Sequence, residues 1–251
     1  MKAAPHQPAF VLHRYDWSES SSIVELFTRD AGRVAVAAKG ARRPTSNLRA
    51  VLMPFQRIHV AFGRGRDDAA SDIHNLRAAE WAGGTPAPGG DALLAGFYLN
   101  ELVMKLLARD DPHPALWDAY AAALPWLGTA LEPAALRAFE LVLLAETGHL
   151  PDLSRTTATQ QPLQPAQRYL LRPDAGLTES AAGDDAVNGA TFIALHAACL
   201  ERDFDRLCAA CRLAESALRR QLRHVLAYHL GGATLRTREV VRDLQPLLNG
   251  R

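Results

Sequence analysis

No stretch of this chain approaches the roughly 20 consecutive apolar residues that a membrane-spanning helix requires. The opening residues, Met1-Lys2-Ala3-Ala4-Pro5, lack the apolar run of a secretory signal. Cysteine is scarce and odd in number, with only Cys199, Cys208 and Cys211. That excludes a disulfide framework and agrees with a reducing compartment. A strong overall charge is missing too: 28 Lys and Arg nearly balance 27 Asp and Glu, for a net charge of +1. The total is silent about nucleic acid. These absences lead to the expectation of a soluble cytoplasmic protein. With 251 residues, 48% of them hydrophobic, the chain can bury a core as one large domain or two ordinary ones.

The sequence patterns of common catalysts are also absent. There is no H-E-x-x-H pair, no G-x-S-x-G, no P-loop and no G-x-G-x-x-G after a strand. Gly63-Arg64-Gly65-Arg66 resembles a turn that tracks a phosphate backbone more than a nucleotide cradle. The pairs Asp67-Asp68, Asp110-Asp111 and Asp184-Asp185 fall in apparent loops, where solvated turn aspartates are expected. Cys208-Ala209-Ala210-Cys211 has the spacing of a zinc knuckle or redox pair, with Cys199, His196 and His224 as further donors. The surrounding helical pattern instead sets Cys208 and Cys211 one turn apart on a single face, where small buried thiols are common. The expectation is therefore no enzyme, no cofactor and no metal. A small hydrolase or metal enzyme is the contrary reading, to be recognised by turnover or bound zinc.

What is present falls into two halves of different period. Ala9–His13, Ser22–Thr28, Arg33–Ala38, Pro54–Phe62 and Asp72–Ala79 read as short strands, with Asp30-Ala31-Gly32 as a hairpin turn. The fourth alternates from Phe55 onward, placing Phe55, Arg57, His59 and Ala61 on one face. Thr45–Met53 reads as a short helix capped by Thr45 or Ser46. Five short strands with a helix after the third suit a small β-barrel such as an OB-fold, although the strand count also suits other barrels. After Ala82–Gly90, rich in Gly and Pro, the period becomes helical: near 93–106, 116–124, Pro133–Thr147, from Thr191, Asp203–Leu230 and Arg236–Leu248. Residues 150–190 are polar, with a small hairpin at Arg168–Arg172 and Gly176-Leu177. The predicted class is α+β, with a barrel domain at 1–81 and a mainly helical domain at 82–251 carrying the 150–190 insertion.

The feature that carries chemistry is a window from Ala31 to Arg66 without a single acid, holding Arg33, Lys39, Arg42, Arg43, Arg49, Arg57, Arg64 and Arg66. Basic side chains along strands and loops make a groove that follows a phosphate backbone without reading sequence. Arginine suits this because its planar fork holds two phosphate oxygens and also stacks on a base. Tyr15, Trp17, Phe55 and Phe62 are either stacking aromatics or core residues. A second, weaker patch comprises Arg219, Arg220, Arg223, His224, Arg236 and Arg238, which equally suits an ordinary charged helix surface.

Several blocks, taken in order, resemble the RecO family. They are Ala9–His13, Trp17–Ser21, Phe27–Arg33, Ala37-Ala38-Lys39-Gly40-Ala41-Arg42-Arg43, Leu52-Met53-Pro54-Phe55, Gly96–Leu102, Leu136–Leu144 and Leu230–Glu239. The resemblance spans nearly the whole chain. It implies an N-terminal OB-fold, a helical C-terminal domain and a part in recombinational DNA repair along the RecF pathway, close to the nucleoid. It also implies binding of single- and double-stranded DNA, strand annealing, and partnership with RecR and with single-strand-binding protein while RecA is loaded. By the same resemblance, Arg137 falls where the family places a basic residue that pairs with the acidic, Phe-ending tail of single-strand-binding protein; a plain surface arginine is the other reading. Two departures stand out. Leu153-Ser154-Arg155-Thr156-Thr157 occupies the place of a four-cysteine zinc module found in some members, so no metal is expected there. Ala233 and Thr234 replace more basic and proline-bearing choices, which weakens DNA contact at that turn. A different class of function also fits a basic barrel: a protein–protein adaptor that meets an acidic partner instead of DNA.

Overall fold

The computed structural model describes residues 6–63, 72–83, 88–90, 92–180 and 185–249. Five strands form a closed barrel in the order β1-β2-β3-β5-β4. They are β1 (Gln7–Asp16), β2 (Ser22–Thr28), β3 (Gly32–Ala38), β4 (Arg57–Gly63) and β5 (Ile73–Trp81). Strand alternation explains the interior: Ala9, Val11, Val24, Leu26, Val34, Val36, Ile58 and Val60 all point inward and are fully buried. Each buried Val, Leu or Ile contributes about 1.5–3 kcal/mol relative to exposure. Closure needs local bending, and register shifts between Val11 and His13 in β1 and at Arg77 of β5, opposite Ala61 and Phe62, supply it. The β2–β3 turn rests on Gly32 at φ +70°, where an added Cβ would lie 1.9 Å from the Asp111 carbonyl oxygen.

Helix α1 (Leu48–Val51) is shorter than expected, and Asn47 at its N-cap makes no side-chain cap bond, so neither Thr45 nor Ser46 caps it. Leu48, Val51 and Leu52 plug the barrel core instead. Phe55 also departs from the strand reading: it precedes β4, has φ +69° and is buried. Its amide donates to the Val11 carbonyl oxygen at 3.0 Å, and its ring packs edge-on to Phe97 at 5.0 Å. Helix α2 (Ala92–Leu106) packs against β1, and α3 (Pro114–Ala123) brings Trp117 Nε1 to the Phe27 carbonyl oxygen at 3.1 Å.

The chain divides into two compact units, Met1–Asp118 and Ala119–Arg251. The second contains α4 (Glu132–Glu146), the strands β6 (Arg168–Arg172), β7 (Gly176–Glu179) and β8 (Val187–Asn188), α5 (Gly189–Glu201), α6 (Phe204–Arg212), α7 (Glu215–His229) and α8 (Arg236–Asn249). The expected hairpin is present, and β8 extends it to a three-stranded sheet in the order β7-β6-β8. Residues 203–230 form two helices rather than one, with Asp203 capping α6 by accepting from the Arg206 amide. No Gly or Pro marks the break at Leu213-Ala214. It arises because α6 packs on α4 and α5, while α7 packs on α4 and β6. Among the described residues, no helix is long and apolar enough to cross a membrane.

Candidate nucleic-acid interface

β1 ends, β2 begins and β3 ends at one end of the barrel, which gathers the β1–β2 loop and the segment that follows β3 there. The β1–β2 loop closes on itself, since the Trp17 and Ser18 amides both donate to the Ser21 carbonyl oxygen at 3.2 Å. The loop after β3 is tied to it. The Arg42 amide donates to the Ser20 carbonyl oxygen at 3.0 Å, and Arg42 Nη1 donates to the Ser18 carbonyl oxygen at 2.7 Å. Between the loops lies an open cleft of about 430 Å³, lined by Trp17, Ser18, Ser20, Ser21, Lys39, Gly40 and Arg43. Lys39 and Arg43 are exposed, and Trp17 is 57% exposed. A cation pair beside an accessible indole can hold phosphate and stack a base in one place.

The basic window does not assemble as one surface. Lys39, Arg42 and Arg43 come together, and Arg49 lies exposed on α1. Arg57, the first residue of β4, is exposed and holds its guanidinium 5.4 Å from the Trp117 ring centroid. Arg33 sits near the far end of β3, donating to the Met104 carbonyl oxygen with Nε 4.0 Å from Glu25. Burial holds its pKa below the ordinary arginine value, against the pull of Glu25. Arg64 and Arg66 lie outside the described residues. Acids also enter the neighbourhood from the adjoining loop, because Asp16 pairs with Arg42 at 3.3 Å and Glu19 is exposed. A stretch free of acids in sequence is not free of them in space.

The aromatic candidates divide. Phe55 is core, and Phe62 is half-buried with its ring 5.1 Å from that of His74. Tyr15 and Trp17 are accessible, as is Trp81, which the sequence reading missed. Arg14 and Arg77, exposed on β1 and β5, were missed as well. Arg14 directly precedes Tyr15 and was open to detection. Arg109 was not: it follows α2 in sequence and reaches Glu25 of β2 only through the fold.

In the second unit, Arg137 is not a surface residue. It is 6% exposed on α4 and ion-paired with Glu140, one turn along the same helix. Burial pushes the Cys199 thiol up to about 11 and the Cys208 thiol up to about 12, and it raises Cys211 strongly as well. Cys208 and Cys211 are buried and Cys199 is half-buried, and all three stay protonated at neutral pH. Among the described residues, no group of three His, Cys, Asp or Glu is placed to hold a metal. Of the later basic patch, Arg219, Arg223 and His224 are exposed on α7, while Arg220 pairs with Asp185.

Residues 1–83 match the family model for the N-terminal part of recombination protein O, and residues 89–239 match that for its C-terminal part. The DNA repair protein RecO of Variovorax paradoxus (strain S110) is 48% identical, over 96% of this chain and 97% of its own. Its namesake from Polaromonas naphthalenivorans (strain CJ2) is 50% identical over 96% and 97% of the two chains. That of Delftia acidovorans (strain DSM 14801 / SPH-1) is 49% identical over 98% of each. With a barrel at one end, helices at the other, and both matched along almost their whole length, the chain belongs to the RecO family of DNA repair proteins.

Proposed function

We propose that this chain is a non-catalytic recombination mediator that binds single- and double-stranded DNA through the barrel and anneals complementary strands. In this reading it also works with RecR to help RecA replace single-strand-binding protein on gapped DNA, in the cytoplasm near the nucleoid. Residues 1–81 hold the strand and residues 82–251 dock protein partners. The observation that carries the proposal is the cleft at the barrel end, where Trp17, Lys39 and Arg43 face solvent together and Arg42 stitches the rims. Arg49 and Arg57 are further exposed cations of the same sequence window, and Arg64 and Arg66 follow them in the chain. Annealing follows from the same electrostatics: neutralising two like-charged strands lets their bases meet.

Partner docking is proposed for the helical unit, with the carboxylate of the single-strand-binding-protein tail exchanging with Glu140 for Arg137. The buried ion pair supports this by marking a seat already shaped for a carboxylate beside that guanidinium.

Oligonucleotide titration at several salt concentrations tests the DNA reading. The slope of log K against log salt should be about −0.7 per phosphate neutralised, and Lys39→Ala with Arg43→Ala should flatten it. If the parent protein binds no oligonucleotide at low salt, the strand-holding proposal fails and an acidic protein partner becomes the better account of the cleft.

A further inference from the structure

The outer face of the barrel carries a charge cluster that the cleft does not include. His13 stands opposite Glu25, and Tyr15 opposite Ile23, so Tyr15 and Glu25 lie on the same side of the sheet. Glu25 is 2% exposed, yet two guanidinium groups converge on it. Arg109 Nη2 donates to Glu25 Oε1, and Arg33 approaches Oε2 from the other side. The remaining acids nearby are engaged elsewhere, Asp110 with His74 at 3.0 Å and Asp111 with His113 at 3.4 Å.

One carboxylate thus answers two cations. Arg33 is the inner one, with 16% of its side chain exposed, whereas Arg109 keeps 36% in solvent. Glu25 Oε2 and Arg33 Nε are buried without a hydrogen-bond partner among the described residues. Arg109 makes the hydrogen bond to Glu25 while Arg33 stands 4.0 Å away, so the cluster sets two cations against one carboxylate and Arg109 is its solvent-facing member. Beside it stands Tyr15, 43% exposed, whose hydroxyl pKa is raised by burial and then by Glu25. It remains a neutral donor at physiological pH. Trp17 of the cleft lies two residues further along the chain, just past the end of β1.

We infer that Arg109 and Tyr15 form a second phosphate seat on the outer barrel face, continuous with the Trp17–Arg43 cleft, with Glu25 and Arg33 as positioning residues behind it. This rests on the reading that the barrel binds DNA. The occupant is one backbone phosphate of a strand whose next bases reach Trp17.

The test is fluorescence anisotropy of a labelled single-stranded oligonucleotide with the full chain across a salt series. Arg109→Ala should reduce the salt slope by about 0.7. Arg29→Ala changes total charge equally but removes an arginine paired with Asp118, and should leave the slope unchanged. Tyr15→Ala, at an exposed position, should lower affinity about fivefold or more without altering the slope; this arm stands even if Arg109→Ala fails to fold. If Arg109→Ala keeps the parent slope while Lys39→Ala with Arg43→Ala flattens it, the seat is overturned and the cleft survives. Equal effects of Arg29→Ala and Arg109→Ala, or an unchanged affinity for Tyr15→Ala, also overturn it. No binding by the parent protein would remove cleft and seat together.

Discussion

Asn100 donates its side-chain amide to the Leu12 carbonyl oxygen at 2.8 Å, at the point where β1 slips register between Val11 and His13. A bulge takes its extra residue out of the ladder, and a buried helix side chain satisfies the carbonyl that results. Asn100→Leu leaves that acceptor buried without this donor. Urea unfolding should show a loss of about 1–3 kcal/mol, and an unmoved midpoint would show that the bulge does not depend on Asn100.

Arg137 joins a stability effect to a binding effect. Removing one member of a buried ion pair leaves the other charge uncompensated, at a cost of about 3–5 kcal/mol. Arg137→Ala should therefore destabilise the chain and, well below its melting temperature, weaken binding of an acidic Phe-terminated peptide while DNA affinity holds. The pair replacement Arg137→Met with Glu140→Leu should recover stability but not peptide binding. Unchanged peptide affinity in the folded variants would remove Arg137 from that site.

Acid sensitivity should trace in part to His229. Its ring stacks on His149 at 3.9 Å beside a cleft of about 240 Å³, and burial, then His149, holds its pKa below the ordinary 6.5. The folded chain thus binds this proton more weakly than the unfolded chain does, so protonation favours unfolding. The penalty is absent well above pH 6.5, grows as pH falls from there toward the lowered value, and is complete below it. Between about pH 7.5 and about pH 5.5, His229→Asn should lose less melting temperature than the parent. An equal loss in both proteins would place the acid sensitivity elsewhere.

Much of the architecture was legible in the sequence because it depends on neighbours along the chain. Alternation located β2 at its true bounds, and Gly32 marked the turn into β3. Helical period and a following glycine located α4 to within a residue, with Gly148 at φ +73° just past its end. The class, an OB-type barrel followed by helices with a small β insertion, follows from those local patterns.

The arrangement of charge was decided only by tertiary structure. A window without acids is a property of one dimension, and strand pairing overrides it: β2 sets Glu25 between Arg33 and Arg109, and the β1–β2 loop brings Asp16 to Arg42. The same holds for Arg137, whose helical position was readable but whose burial against Glu140 depends on how α4, α6 and α7 pack. Local periodicity reports which way a side chain points along its own element. Which charges meet is fixed by contacts between residues far apart in the chain, as with Arg109 and Glu25, and no pattern near either one announces the other.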